Sequence, residues 1–205
     1  MPRTQLIVMA KAPVAGFAKT RLMPSLGAEG AARLAQRMLD QTMAQARAAG
    51  LGEIELCCTP DTAHPAFAAQ ARRGGVRLST QGDGDLGARM QRAFVRGLAS
   101  APRVIVIGTD APALDAAYLQ AASAALSSSD AVIGPAADGG YALIGLRRQG
   151  REWPRLFEHM PWSTARVLAL TRERLAAGGL RHSELPTLID IDEVADLVHL
   201  PPGWL

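Results

Sequence analysis

Short apolar runs and helical periodicities alternate along this chain, and that alternation limits its fold more than any other feature. The run Val104–Ile107 is wholly aliphatic and β-branched. Such a run suits a strand buried on both faces, the kind found in parallel sheets covered by helices. Extended segments are expected at Thr4–Ala10, Glu53–Cys58, Val76–Thr80, Arg103–Gly108, Asp130–Gly134, Tyr141–Leu146 and Leu188–Ile191. Helices are expected over Ala28–Ala49, Ala63–Arg73, Gly87–Leu98 and Asp115–Leu126, with a weaker one at Glu152–Glu158. A further helix would run from an N-cap at Ser163 to Ala177, and a last one over Glu193–Leu200. Strands separated by helices imply a parallel sheet with helices on both faces. With no linker or repeat in 205 residues, one domain over 1–205 is expected.

Composition removes several classes of function. No apolar run approaches the ~18 residues of a membrane span. The first apolar stretch is polar again by Lys11, too soon for a signal peptide, so a cytoplasmic protein is expected. The net charge of +3 comes from arginines scattered along the chain. Nucleic-acid binding calls for a clustered basic stripe and is not expected. Cys57 and Cys58 are adjacent and would point to opposite faces of a strand, as reduced fillers. The four histidines show no metal-ligand spacing. The apolar tail Leu200–Leu205 would pack on the domain or on a second copy of the chain, as a homodimer.

In an open α/β sheet, ligands bind beyond the carboxyl ends of the strands. After the first strand, Lys11–Leu22 holds both lysines of the chain, Lys11 and Lys19, with Arg21 beside them. The sequence fails as a P-loop, because Ala18 and Pro13 stand where glycines are needed. Three cations at a strand–helix junction still suit a polyphosphate. After the third strand, Gln81–Gly87 contains Gly82, Gly84 and Gly87 in G-x-G-x-x-G spacing. Asp83 and Asp85 put negative charge where a pyrophosphate would lie, which opposes a dinucleotide site. The other reading is a loop approaching a flat ligand, with Gln81 offered to a base edge.

After the fourth strand comes Gly108-Thr109-Asp110-Ala111-Pro112. A carboxylate there suits Mg²⁺, which takes one or two carboxylates plus phosphate oxygens. The other reading of Asp110 is a helix N-cap. Asp138-Gly139-Gly140 is a turn signal. Asp190 and Asp192 alternate in an extended segment, so both would face one side, to join Asp110 at a metal or to cap the last helix.

Taken in order, these segments resemble one known family. They are the Pro-x-x-Gly-x-x-Lys-Thr-Arg-Leu core of Lys11–Leu22, Gln-x-x-Gly-Asp-Leu-Gly-x-Arg-Met at Gln81–Met90, Gly108–Pro112, Pro135–Gly145, Trp162-Ser163-Thr164 and Asp190–Leu197. The chain is similar to the cofC-like, or radical-SAM/selenodomain-associated transferase 1, family (DUF2064). That family lies within the nucleotide-diphospho-sugar transferase superfamily, with guanylyltransferases as more distant relatives. The resemblance implies a GT-A-like three-layer α/β/α sandwich with a mostly parallel central sheet. It implies a nucleotide held by Lys11, Pro13, Gly16, Lys19 and Arg21, and by Gln81, Gly84, Asp85 and Gly87. It implies Asp110 as principal ligand of Mg²⁺ or Mn²⁺, with Asp192 as the second. Asp138, Gly139, Gly140, Tyr141, Trp162, Ser163 and Thr164 would face the acceptor.

Glycosyltransferases of this fold typically carry Asp-x-Asp after the fourth strand, whereas this chain has Asp110 alone. On that ground the leading expectation is nucleotidyl transfer from a nucleoside triphosphate to a phosphorylated or anionic acceptor. Lys19, Arg21 and Asp110 would then be catalytic, and pyrophosphate would leave. Glycosyl transfer from a nucleotide sugar is the alternative. A nucleotide-binding module without chemistry is the third reading.

Overall fold

Strand β1 spans Thr4–Lys11, and its aliphatic residues alternate between two buried faces. In the computed structural model, which describes residues 3–149 and 155–204, it is followed by helix α1 at Met23–Ala49. The later elements are β2 (Ile54–Thr59), α2 (Pro65–Arg72), β3 (Val76–Thr80), α3 (Leu86–Ser100), β4 (Arg103–Ile107) and α4 (Ala116–Ala125). They continue with β5 (Ala131–Pro135), β6 (Tyr141–Arg147), α5 (Val167–Ala177) and β7 (His182–Glu184). One sheet contains all seven strands in the order β3-β2-β1-β4-β6-β5-β7. Among the described residues, β6 alone runs antiparallel to its neighbours. The reason is local: the connection Ala136–Gly140 is far shorter than the dozen or more residues a parallel crossover needs.

The chain has the expected three layers. Leu6, Val8, Leu56, Cys58, Ile105 and Ile107 face α1, α2 and α4. Ile7, Cys57, Val104, Val106 and Ile144 face α3 and α5 on the other side. Every residue of β4 is buried, as its apolar run implied. Cys57 and Cys58 are buried, free and in opposite cores. Among the described residues, no helix is long and apolar enough to cross a membrane.

Several local expectations are corrected. Ser163 does not cap a helix: it is left-handed at φ 60°, whereas an N-cap needs extended backbone. Helix α5 begins four residues later, after Arg166. Of the helix expected at Glu152–Glu158, residues 152–154 lie outside the described residues, and 155–158 are irregular and bent, not helical. Helix α1 is divided by a non-helical Gly27 at φ 69°, so the expected helix Ala28–Ala49 is present as its second part and a short turn from Met23 precedes it. Strand β7 was missed because His182–Glu184 has no apolar signal. The last helix is a 3-10 segment, Val194–His199, started by a Glu193/Asp196 capping box. Leu197 within it, and Leu200 and Trp204 after it, pack on a small core of Leu22, Leu34, Met38 and Ile191. Arg37 donates to the Gly203 carbonyl at 2.7 Å, so the described part of the tail packs on its own domain.

Candidate functional site

The sheet changes direction between β1 and β4. The connection from β1 crosses on one face through α1, and the connection into β4 crosses on the other through α3. A crevice at such a switch point is where open α/β sheets place ligands. The loops after β1, β3, β4 and β5 all reach this edge. A fifth segment arrives from the far end of the chain. Leu188 bridges to Ala136 beside β5, and the Ile191 N–H donates to the Asp110 carbonyl at 2.8 Å. Ile191 is fully buried and fixes this strap, so that Asp190 and Asp192 lie across the mouth of the crevice.

At the centre is one ammonium between two carboxylates. Lys19 Nζ lies 2.5 Å from Asp110 Oδ1 and 2.9 Å from Asp192 Oδ1, and donates to the Ile191 carbonyl at 2.6 Å. The Lys19 side chain is only 9% exposed, while those of Asp110 and Asp192 are 46% and 43% exposed. Burial lowers the lysine pKa, but the two carboxylates outweigh it and the net direction is upward, so Lys19 stays charged. Asp110 does not cap a helix, since α4 is capped by Asp115. Arg21 is exposed and makes no ion pair or hydrogen bond among the described residues. Lys11 sits 3.9 Å above the Phe17 ring.

Two cavities of about 410 Å³ each meet at this ion cluster. The first is cationic, with Lys11, Lys19 and Arg21 among its lining residues, together with Gln81, Thr59 and Thr109. Pro13 and Gly16 shape the loop that bounds it without lining it. The second has an apolar wall of Met9, Leu86, Met90, Val106 and Ile144. Its polar side carries Asp138, Asp190 and Glu193 beside Asp110 and Asp192, with Arg21 as its only cation among the described residues. Asp190 is pushed up to about 6, first by burial and then by Asp138, with Asp192 and Asp110 adding to it.

Most of the expected acceptor residues line this second cavity: Asp138, Gly140, Tyr141, Trp162, Ser163 and Thr164. Tyr141 and Trp162 meet edge to face at 6.5 Å. Gly139 is elsewhere. Its φ is +88°, and a Cβ there would lie 2.5 Å from the Ala165 carbonyl oxygen, so its role is to let the β5–β6 turn close on the start of α5.

The glycine-rich loop is less available than its spacing suggested. Both amide protons of Gln81 go to the carbonyls of Ala10 and Cys57, at 3.2 and 3.0 Å. Gln81 Oε1 accepts a long hydrogen bond from Arg89 Nη1 at 3.5 Å, which leaves the side chain little to offer a ligand. Asp85 accepts from the Ala88 N–H at 2.8 Å and is the N-cap of α3. Arg89 and Arg92 fold back on the loop carbonyls of Gly84 and Gln81. A Cβ at Gly87 would collide with the Phe157 carbonyl, which explains that glycine by packing. Gly84, at φ +91°, serves the turn. Gln81 therefore ties β1 to β2 beneath the cavity.

The donor set at the centre fits a hard divalent cation. Two carboxylate oxygens converge on a single cationic atom, and Mg²⁺ commonly takes one or two carboxylates and completes its shell with phosphate oxygens and water. Among the described residues, no group of three or more His, Cys, Asp or Glu could hold a metal by itself. Asp190 and Asp138 face the second cavity, so the pairing through Lys19 favours Asp192 as the partner of Asp110. The sequence brings Asp192 to Asp110 but does not reveal that buried Ile191 anchors the strap. Its signal was there: an isoleucine between two aspartates in an extended run pins both carboxylates outward.

The model of the DUF2064 family, described as uncharacterized protein conserved in bacteria, matches residues 42–164. A crystal structure of a candidate nucleotide-diphospho-sugar transferase from Desulfovibrio desulfuricans G20 is 32% identical, with a TM-score of 0.86 over 96% of this chain and 85% of that one. A nucleotidyl transferase from Methanothermobacter thermautotrophicus is 18% identical, with a TM-score of 0.64 over 98% and 97% of the two chains. Glucosyl-3-phosphoglycerate synthase from Mycobacterium tuberculosis, in complex with Mn²⁺, UDP and glucosyl-3-phosphoglycerate, is 10% identical. Its TM-score is 0.58 over 97% of this chain and 75% of that one. The last two show a shared fold. No curated protein matches the chain.

Proposed function

The chain belongs to the DUF2064 family, and we propose that it is a nucleotide-dependent transferase whose donor and acceptor meet at Asp110, Lys19 and Asp192. One observation carries this reading: a cationic cavity and a carboxylate-lined cavity share Asp110 and Asp192 as a common wall, with Lys19 on the cationic side of it. The donor's phosphates lie in the first, over Lys11 and Arg21. The acceptor lies in the second. A divalent cation held by Asp110 and Asp192 would neutralise phosphate charge there.

The acceptor side selects the reaction. A phosphorylated acceptor would face Asp138, Asp190, Asp192 and Glu193 with one arginine in its favour. A neutral, hydroxyl-bearing acceptor suits this wall, which offers hydrogen-bond acceptors and a place for a proton. The reading favoured here is therefore glycosyl transfer from a nucleotide sugar. The acceptor oxygen attacks the anomeric carbon, the bond from that carbon to the diphosphate breaks, and a carboxylate of the Asp138/Asp190 pair takes the hydroxyl proton. Asp190, whose pKa is pushed up to about 6, is well matched to proton transfer near neutral pH. Arg21, free of other partners, meets the charge that develops on the leaving diphosphate.

Nucleotidyl transfer from a triphosphate keeps two arguments, the three cations Lys11, Lys19 and Arg21 at the β1–α1 junction and the single Asp110 where glycosyltransferases of this fold typically carry Asp-x-Asp. The D. desulfuricans relative is named as a nucleotide-diphospho-sugar transferase, a name that covers both reactions, and supports a nucleotide-dependent transferase of either kind. A donor panel decides it. The protein with Mg²⁺ is incubated with nucleoside triphosphates or nucleotide sugars and a mixture of hydroxyl and phosphate acceptors. Release of nucleoside diphosphate from a nucleotide sugar is the expected result. Pyrophosphate released from a triphosphate would replace it with nucleotidyl transfer. Binding without turnover across the panel would leave a nucleotide-binding module.

A further inference from the structure

The most unusual group in the crevice is the lysine itself. A lysine ammonium is a strongly hydrated point charge, whereas Lys19 is turned inward and nearly buried, and each of its three contacts is to oxygen on Asp110, Asp192 or Ile191. The two carboxylates are almost half exposed on their cavity sides, so a second cation can reach them from the donor chamber. Lys19 also lines that chamber, and it is carried by a loop: its backbone is left-handed at φ 49°, just before the short 3-10 turn Thr20–Leu22. A non-glycine residue in that region is held there at some cost by its surroundings.

We propose that Lys19 is the resident cation of the Asp110–Asp192 pair, and that it leaves the pair for the donor's phosphates when a divalent cation arrives. The inference rests on the reading that these two carboxylates hold the metal. Its logic is charge and space. With Lys19 in place, the three groups sum to −1. With a divalent cation in its stead, they sum to zero. Both cations cannot occupy the point between two oxygens that the ammonium already touches, because they would repel one another in a partly desolvated setting. Once displaced, the ammonium finds its nearest unneutralised anion in the phosphates of the neighbouring chamber. Metal binding then favours phosphate binding, and by linkage phosphate favours metal to the same degree. Metal alone binds weakly, because it must displace an ion pair without a new partner for Lys19.

The chain contains only two lysines, so the test can be made on the unaltered protein. Lysine ¹⁵Nζ labelling gives two ammonium signals, with Lys11 as internal reference. Addition of Mg²⁺ with inorganic pyrophosphate should move the Lys19 signal well beyond the change at Lys11. An unmoved Lys19 signal at saturation overturns the inference. Mn²⁺ titration by electron paramagnetic resonance supplies the second measurement. Lys19→Gln should bind Mn²⁺ at least tenfold more tightly than wild type in the absence of phosphate, and should lose most of the enhancement that pyrophosphate gives wild type. Arg21→Gln, which removes a nearby charge that touches neither carboxylate, should gain less than about threefold. An equal gain in both variants would mean bulk charge and overturn the exchange. Asp110→Asn/Asp192→Asn separates the two claims. If it still binds Mn²⁺ like wild type, the metal-site reading fails. If it loses binding and Lys19→Gln binds no more tightly than wild type, the site stands and the exchange fails.

Discussion

Two ion clusters in this molecule use the same chemistry to opposite ends. On the α3 side of β2, Glu55 is completely buried and accepts from Gln5, Ser79, Arg77 and Arg96. At the crevice, Lys19 is nearly buried and gives to Asp110 and Asp192. In the first cluster the carboxylate is enclosed and the cations are at the rim. Nothing further can approach the anion, and the network fixes β2, β3 and α3 together. In the second the cation is enclosed and the anions are at the rim. Those carboxylates remain open to another cation, and this is what separates a site from a staple. Burial of the whole network matters less than which sign of charge is left facing the cavity.

The contrast can be broken by substitution, and the largest effect is expected at the crevice. Asp110→Asn should lower turnover by about 10²–10³-fold, on the order of 3–4 kcal/mol of transition-state stabilisation, with little change in melting temperature. Equal loss of stability would make Asp110 another staple. Glu55→Gln should do the reverse. Removing one partner of a buried ion cluster costs about 3–5 kcal/mol, but the rim arginines can turn to water, so about 2–3 kcal/mol and a clear drop in melting temperature are expected. Donor binding should survive, and its loss would merge the two clusters.

A smaller effect tests the acidic wall. Asp190 titrates near 6 when folded, above its ordinary 3.8, so the native state holds the proton more firmly than the unfolded chain. Stability should therefore fall as pH rises between roughly 4 and 6. Asp190→Asn removes that fall. Discounted for its half-exposure, the variant should be more stable than wild type by about 1 kcal/mol at pH 7 and unchanged at pH 4. Denaturant unfolding at both pH values measures this, and an identical pH dependence in the two proteins would remove the carboxylate-crowding account. Arg21→Ala should lower turnover by about 10²-fold or somewhat less, since Lys11 and the bound cation share its task. Unchanged turnover would take Arg21 out of the donor chamber.

The layered fold was legible because it rests on periodicity. Val104–Ile107, Leu6–Ala10 and the amphipathic α3 each declare their burial in their own residues. The antiparallel turn of β6 was legible in principle, from the short link Ala136–Gly140. Ser163 misled because serine before a helix is a good cap only in extended backbone, and tertiary packing gives it φ 60°. Strand β7 left no trace, since three polar residues pair with β5 only because β5 offers its edge. At the site, Asp110 and the cationic loop were visible as residue types at strand ends. Their mutual engagement was not, because Lys19 and Asp192 are 173 positions apart. The same holds for Gln81, whose amide is drawn away by two carbonyls that no local pattern exposes.

The strap that crosses the crevice has a consequence in time. Residues Lys19 and Asp110 leave the ribosome well before Asp192 does. At about 5–20 residues per second, roughly 4–16 s of synthesis separate the two aspartates. Through that interval the growing sheet can form its β1–β4 pairing and a plain Lys19–Asp110 ion pair, but the second anion is missing. A nascent or stalled chain of this kind is folded over much of its length yet cannot capture a divalent cation between two carboxylates. Competence arrives in a single late event, when Ile191 seats and carries Asp192 into place. A fragment ending before the strap would be expected to keep much of the sheet and to be inert.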